Sequence, residues 1–181
     1  MKITPIFHIL SILIMPLSGF MMVSGFVDFV YNNQNWINFF ISATITLFVG
    51  MSVFLATRGH NDQNIDLRQA FVLTTMSWIT IAFFGALPFY LSNINLNFTD
   101  SFFESMSGIT TTGSTILINI EASPPGILVW RSLLQWLGGI GVIVMAIAIF
   151  PMLSVGGMQL FKAENFENPE KVVPRATSLT R

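Results

Sequence analysis

The residues whose types and spacing point most directly to chemistry are Ser107-Gly108-Ile109-Thr110-Thr111-Thr112-Gly113-Ser114-Thr115. Small hydroxyl-bearing side chains surround a glycine here, between apolar segments, in a chain with only 9% charged residues. Polar backbone is tolerated at membrane depth only where it is buried in protein or lines a wet cavity. The chemistry such a run offers is coordination. With few bulky side chains in the way, its backbone carbonyls can replace the hydration shell of a cation. The competing reading of Thr-Thr-Thr alone is an ordinary surface loop, so the neighbouring elements must decide.

Composition narrows the setting first. Hydrophobic residues make up 52% of the chain and mean hydropathy is +0.68, whereas a soluble domain carries about 25% charged residues. A net charge of −1 argues against nucleic acid, which selects a basic face. There is no cysteine, which excludes disulfides and thiol chemistry. His8 and His60 lie far apart and form no spaced ligand set. No pair of histidines and no pair of carboxylates sits within one apolar stretch, so an intramembrane enzyme is disfavoured.

A helix needs about 20 apolar residues to cross a bilayer. Four stretches qualify: Ile3 to Val27, Trp36 to Ala56, Ala70 to Leu91 and Leu133 to Val155. The first is longer than the apolar core of a signal peptide and no cleavage site follows it, so it reads as a retained helix. Lys2, Arg58, Arg68, Lys162, Lys171, Arg175 and Arg181 all fall on one side of the resulting model, and only Arg131 on the other. The positive-inside rule then makes both termini cytoplasmic. Tyr31, Trp36, Tyr90 and Trp130 gather near the outer interface, where amphipathic rings are favoured.

The segment between the third and fourth spans is too apolar for a plain outer loop. Phe98, Phe102, Phe103 and Met106 predict a short helix from about Ser101 to Gly108, capped by Ser101, Thr99 or Asp100, with Ser101 and Glu104 at capping-box spacing. Such a helix is shorter than the bilayer core, so it enters and returns. Its negative end points toward Thr110 and favours a cation there. Gly108 can end the helix, and Gly113 can adopt backbone angles closed to other residues. The expected fold class is an all-α integral membrane protein, with a pore loop rather than a surface loop.

Three ordered motifs then carry a resemblance. Phe102-Phe103-Glu104-Ser105-Met106-Ser107-Gly108-Ile109-Thr110-Thr111-Thr112-Gly113-Ser114 resembles the first pore loop of the bacterial TrkH family of potassium-uptake subunits. Trp130-Arg131-Ser132-Leu133-Leu134-Gln135-Trp136-Leu137-Gly138-Gly139-Ile140-Gly141 resembles the start of its following helix, and Gly157-Met158-Gln159-Leu160-Phe161-Lys162-Ala163-Glu164 the exit of that helix. The two helices before Arg58 match an N-terminal pair that the shorter KtrB relatives lack. The resemblance implies an N-terminal helix pair (1–58), a cytoplasmic loop (59–68), one helix–pore loop–helix repeat of a potassium-channel-like pore (69–161) and a cytoplasmic segment (162–181). Three more repeats would follow to complete a single potassium path, which makes this chain a fragment of a longer family member.

By resemblance, Thr110, Thr111, Thr112, Gly113 and Ser114 supply filter carbonyls, with potassium held at Thr111, Thr112 and Gly113. Sodium-preferring relatives can carry serine at the first-repeat glycine, so Gly113 favours potassium. Glu104 and Arg131 are candidate supports of the pore loop; Glu104 reads either as an attractive charge near the pore mouth or as a capping carboxylate. Arg131 reads either as a partner for an acidic group of the loop or as a side chain snorkelling outward. Gly138, Gly139 and Gly141 permit close helix approach. Asn97-Phe98-Thr99 matches a glycosylation sequon and reads as chance. The resemblance further implies location in the bacterial inner membrane, potassium as the substrate with no covalently bound cofactor, a homodimer of full-length subunits and a cytoplasmic nucleotide-binding partner, TrkA. Two other readings of the residues stay open: a membrane anchor or assembly subunit that moves no ion, and a single-repeat homotetrameric cation channel.

Overall fold

The computed structural model describes residues 3–59 and 67–153, with the backbone alone for residue 67 and for 145–153. Residues 1–145 form one compact unit and 146–181 a second, of which only 146–153, helical throughout, are described. All described elements are helical. They are α1 (Thr4–Val30), α2 (Trp36–Thr57), α3 (Leu67–Gly85), α4 (Leu87–Leu91), α5 (Phe98–Ile109), a 3-10 turn (Ile120–Ala122) and α6 (Pro125–Leu153). Four stretches are long and apolar enough to cross a membrane: Thr4–Val30, Trp36–Thr57, Arg68–Leu91 and Pro125–Val144. The exit motif Gly157 to Glu164, most of the 59–68 loop and the 162–181 segment lie outside the described residues.

In lipid the hydrophobic effect does not drive helices together, so close packing and small interfacial residues must. α1 and α2 follow that rule. Ser11, Ser18, Ser24 and Gly25 of α1, and Ser42, Ala43, Thr46 and Gly50 of α2, are buried. A Cβ on Gly25 would lie 2.8 Å from Phe39 Cβ. The buried hydroxyls are satisfied locally, as in Ser42 to the Asn38 carbonyl and Thr46 to the Ser42 carbonyl, both 2.7 Å. His8 bridges the same pair, 2.9 Å from Thr57 Oγ1 and stacked on Phe54. The α1–α2 connection is closed by the two reverse bonds of a Schellman motif: Asn33 N–H to the Asp28 carbonyl (2.9 Å) and Asn32 N–H to that of Phe29 (3.1 Å). Asn32, with φ +56°, fills the left-handed position that asparagine tolerates.

The third span is broken. Pro88 has no N–H to give the carbonyl one turn back, and the helix divides at Ala86 into α3 and α4. The Gly85 carbonyl is taken by the indole N–H of Trp130 on α6, at 3.0 Å. One buried cluster draws on every helix: Leu17 and Met21, Phe39 and Ala43, Ala82, Phe89, Ile109, and Ile127, Trp130 and Leu134, with Trp78 packed against its edge. Trp130 is therefore a core residue and not the interfacial anchor expected from sequence. Tyr31 and Tyr90 are exposed.

Two boundaries differ from expectation. α5 begins three residues early and is capped by Asn97, whose Oδ1 accepts the Asp100 N–H at 2.8 Å. The cap was hidden inside the apparent sequon. α6 begins at Pro125 rather than Leu133. Proline is well suited to a first helical turn, and the helix runs straight through Arg131 because that charge has a partner, described next.

Candidate functional site

The site is built at the C-terminal end of α5. Twelve residues of α-helix span about 18 Å, well short of the roughly 30 Å of a bilayer core. The helix does not stop at Gly108. It closes through a second Schellman motif, with Thr112 N–H on the Ser107 carbonyl and Thr111 N–H on the Gly108 carbonyl, both 3.0 Å. This motif puts Thr111 in the left-handed position at φ +58°, where glycine is usual. For a β-branched residue that is a true backbone outlier, and such strain persists only where the surroundings enforce it. Gly113 follows at φ +76°. Its nearest neighbour to an added Cβ is Gln135 Nε2 at 3.9 Å, so the bar to a side chain there is conformational and not steric.

Ser107 organises the run that follows. Its carbonyl accepts from Thr112 and, at 3.4 Å, from Gly113, while its hydroxyl donates to the Ser114 carbonyl at 2.6 Å. Thr110 Oγ1 donates back to the Met106 carbonyl at 2.8 Å and lies 2.9 Å from Thr112 Oγ1. The five residues Thr110 to Ser114 are exposed on this chain. The Ser114 carbonyl thus differs from its four predecessors in having a protein donor.

Glu104 lies behind the run, with no exposed surface. Oε1 accepts from Thr115 Oγ1 at 2.5 Å and from the Ile116 N–H at 2.6 Å. Arg131 Nε lies 3.1 Å from Oε2, and the Arg131 side chain is 14% exposed. Oε2 has no aligned hydrogen bond, so the second contact is charge attraction more than directed bonding. This geometry does not fit a capping carboxylate, since the cap of α5 is Asn97. Glu104 braces the chain just after the threonine run. Arg131 resolves to the pairing alternative. Removing either partner of a buried pair costs about 3–5 kcal/mol, because an uncompensated charge remains. Asp100, half-buried, and Glu121, exposed in the 3-10 turn, join no part of this brace.

α6 supports the site from the other side. A Cβ on Gly108 would approach Leu134 Cβ at 3.0 Å, and one on Gly138 would collide with the Ile109 carbonyl. Gly138 is therefore the close-approach glycine, while Gly139 and Gly141 have nothing within 4 Å. Ser105 Oγ, facing Gly85, is buried without a hydrogen-bond partner.

Comparison with known proteins gives a single answer. Residues 35–179 match the TrkH family model, described as a cation transport protein. The chain is 42% identical over 177 residues to the Trk system potassium uptake protein TrkI of Halomonas elongata, covering 98% of this chain and 36% of that protein. It is 39% identical over 165 residues to the Trk system potassium uptake protein TrkH of Escherichia coli K12, covering 91% and 34%. The crystal structure of the potassium transporter TrkH from Vibrio parahaemolyticus superposes with a TM-score of 0.79 at 31% identity, over 92% of this chain and 37% of that one. This chain spans about a third of the length of these relatives. The residues matched and the fold agree, and the chain belongs to the TrkH family of cation transport proteins.

Proposed function

We propose that this chain supplies one quarter of a potassium-selective pore, with α3–α4 and α6 as the two spans of a repeat and α5 as its pore helix. Under this reading residues 1–58 are a flanking helix pair and 69–161 the repeat. The carbonyls of Thr110, Thr111, Thr112 and Gly113 replace part of the ion's hydration shell. Potassium sits at the level of Thr111 to Gly113. Ser114 closes the run with a carbonyl shared between the ion path and Ser107. Three further repeats complete the coordination, since an ion stripped of water on one side only pays a prohibitive desolvation cost. The observation that carries this reading is the pair of left-handed residues, Thr111 and Gly113, one residue apart at the negative end of a short capped helix. Ordinary surface loops do not hold a β-branched residue in that conformation.

Uptake as part of a Trk system, a pore dimer and a cytoplasmic TrkA-type partner accompany the family reading. So does the inner membrane, with both ends of this segment on the cytoplasmic side. The test is Gly113→Ser in a complete transporter carrying this repeat. Selectivity for potassium over sodium should fall by about tenfold, the effect of roughly 1.4 kcal/mol of lost discrimination. Growth at low potassium with sodium as competitor reads the same change. A folded, membrane-inserted Gly113→Ser protein with unchanged selectivity would leave the anchor reading in its place.

A further inference from the structure

Asp28 lies at the end of α1, fully buried at 0% exposure, and has no part in the coordination proposed above. Oδ1 accepts the Gly126 N–H at 2.6 Å, and Oδ2 accepts from Asn35 Nδ2 at 3.1 Å. Asn35 is itself held, its Oδ1 by Asn38 Nδ2 and its N–H by Asn33 Oδ1, both at 3.0 Å. No basic side chain among the described residues pairs with Asp28. What it faces is the first turn of α6, the positive end of a helix dipole. The approach leaves no room for a side chain. A Cβ on Gly126 would lie 2.5 Å from Asp28 Cγ and 2.7 Å from the Ser24 carbonyl.

Gly126 begins a buried row on α6 spaced by four: Gly126, Trp130, Leu134, Gly138. Such a row is one ridge of a helix surface. Together its members meet three elements: Asp28 of α1, the Gly85 carbonyl of α3, and, on α5, Gly108 and the Ile109 carbonyl. The ridge leaves α6 little freedom to rotate or slide without separating Gly138 from the last turn of α5. Ile109 immediately precedes the threonine run.

We propose that Asp28 is a positioning residue for the selectivity filter. It seats the N-terminus of α6, and the seated ridge fixes the end of α5 from which the filter hangs. This gives the N-terminal helix pair a task in ion discrimination although none of its residues reaches the ion. The proposal rests on the filter reading and assigns the control of that filter.

The test uses the complete transporter carrying this segment, with rubidium or potassium uptake, sodium competition and membrane abundance measured together. Asp28→Asn keeps an acceptor for Gly126 but turns an amide against Asn35 Nδ2. It should raise the KM for potassium and lower potassium-over-sodium discrimination about fivefold, the scale at which loss of one N-terminal cap registers. Combining it with Asn35→Asp restores the donor–acceptor match with the charge on the other side chain, and should return both values to within about twofold. Asp28→Ala should be worse than Asp28→Asn. If Asp28→Ala fails to reach the membrane, Asp28→Asn and the exchanged pair still decide. A merely structural role would lower abundance and maximal rate together and leave KM and discrimination untouched; that result, or failure of the exchanged pair to rescue, overturns the proposal. Gly113→Ser run alongside separates the two ideas. If it shifts discrimination and Asp28→Asn does not, the filter stands and the positioning role falls. If neither does, the filter reading falls too.

Discussion

Asn32 and Thr111 occupy the same position in the same motif, at φ +56° and +58°, and only one of them suits it. Asparagine enters the left-handed region readily, whereas threonine there costs about 1–2 kcal/mol. Thr111→Asn should therefore raise the melting temperature of the detergent-solubilised transporter and, because asparagine holds the same backbone angles, leave potassium-over-sodium discrimination unchanged. A thermal melt and a competition assay on the same preparation check both halves. An unchanged melt would mean that the left-handed position of Thr111 carries no strain in the assembled transporter. Sequence reading picked out Gly113 as the residue needing unusual angles and passed over Thr111. Residue type betrays a left-handed position only when the residue is one that prefers it. Glu104 and Arg131 were flagged, but their pairing was left open because nothing in one dimension says that α5 and α6 face each other.

Among elements, α6 is held by what it lacks. Gly138→Ala puts a methyl group into the Ile109 carbonyl and should destabilise the assembled protein by about 1–3 kcal/mol, as overpacking does. Gly139→Ala meets open space and should be neutral, or stabilising by up to about 1 kcal/mol, because alanine is the better helix former. Melting curves of the two variants side by side test the assignment; equal losses would mean that the ridge is not the contact. The four spans were legible from hydropathy because lipid demands uninterrupted apolar helices. Their ends were less so. Arg131 hides the start of α6, since a charge whose partner lies 27 positions away along the chain looks like the edge of a membrane segment. The break at Ala86 follows from Pro88, which the sequence shows, whereas the indole that takes the Gly85 carbonyl does not show there, and the cap at Asn97 lies inside a sequon.

At the scale of the whole molecule, the basic residues of the chain bias toward one side in sequence. Single cysteines replacing Gln34 or Asn119 should react with a membrane-impermeant thiol reagent added to intact cells, and one replacing Gly59 should react only after permeabilisation. Labelling of the Gly59 position from outside would reverse the orientation. The run after the threonines is also left uncovered on this chain, with Ile118 99% exposed and Ile116 and Ile120 partly so. Such an apolar edge fits a neighbouring repeat. The proposal of neighbouring repeats rests on family resemblance, because no pattern inside these 181 residues counts them.

The closure of α5 has a further consequence for the sign of charge admitted. The N–H groups of Thr110, Thr111, Thr112 and Gly113 all turn back onto carbonyls of α5, those of Met106, Gly108 and Ser107. With these four amides folded inward, none of them is free to donate to an approaching anion. Under the filter reading proposed above, chloride would meet carbonyls whose neighbouring amides are turned away, at the negative end of a helix. On that reading the way the helix ends disfavours anions before ionic radius enters at all.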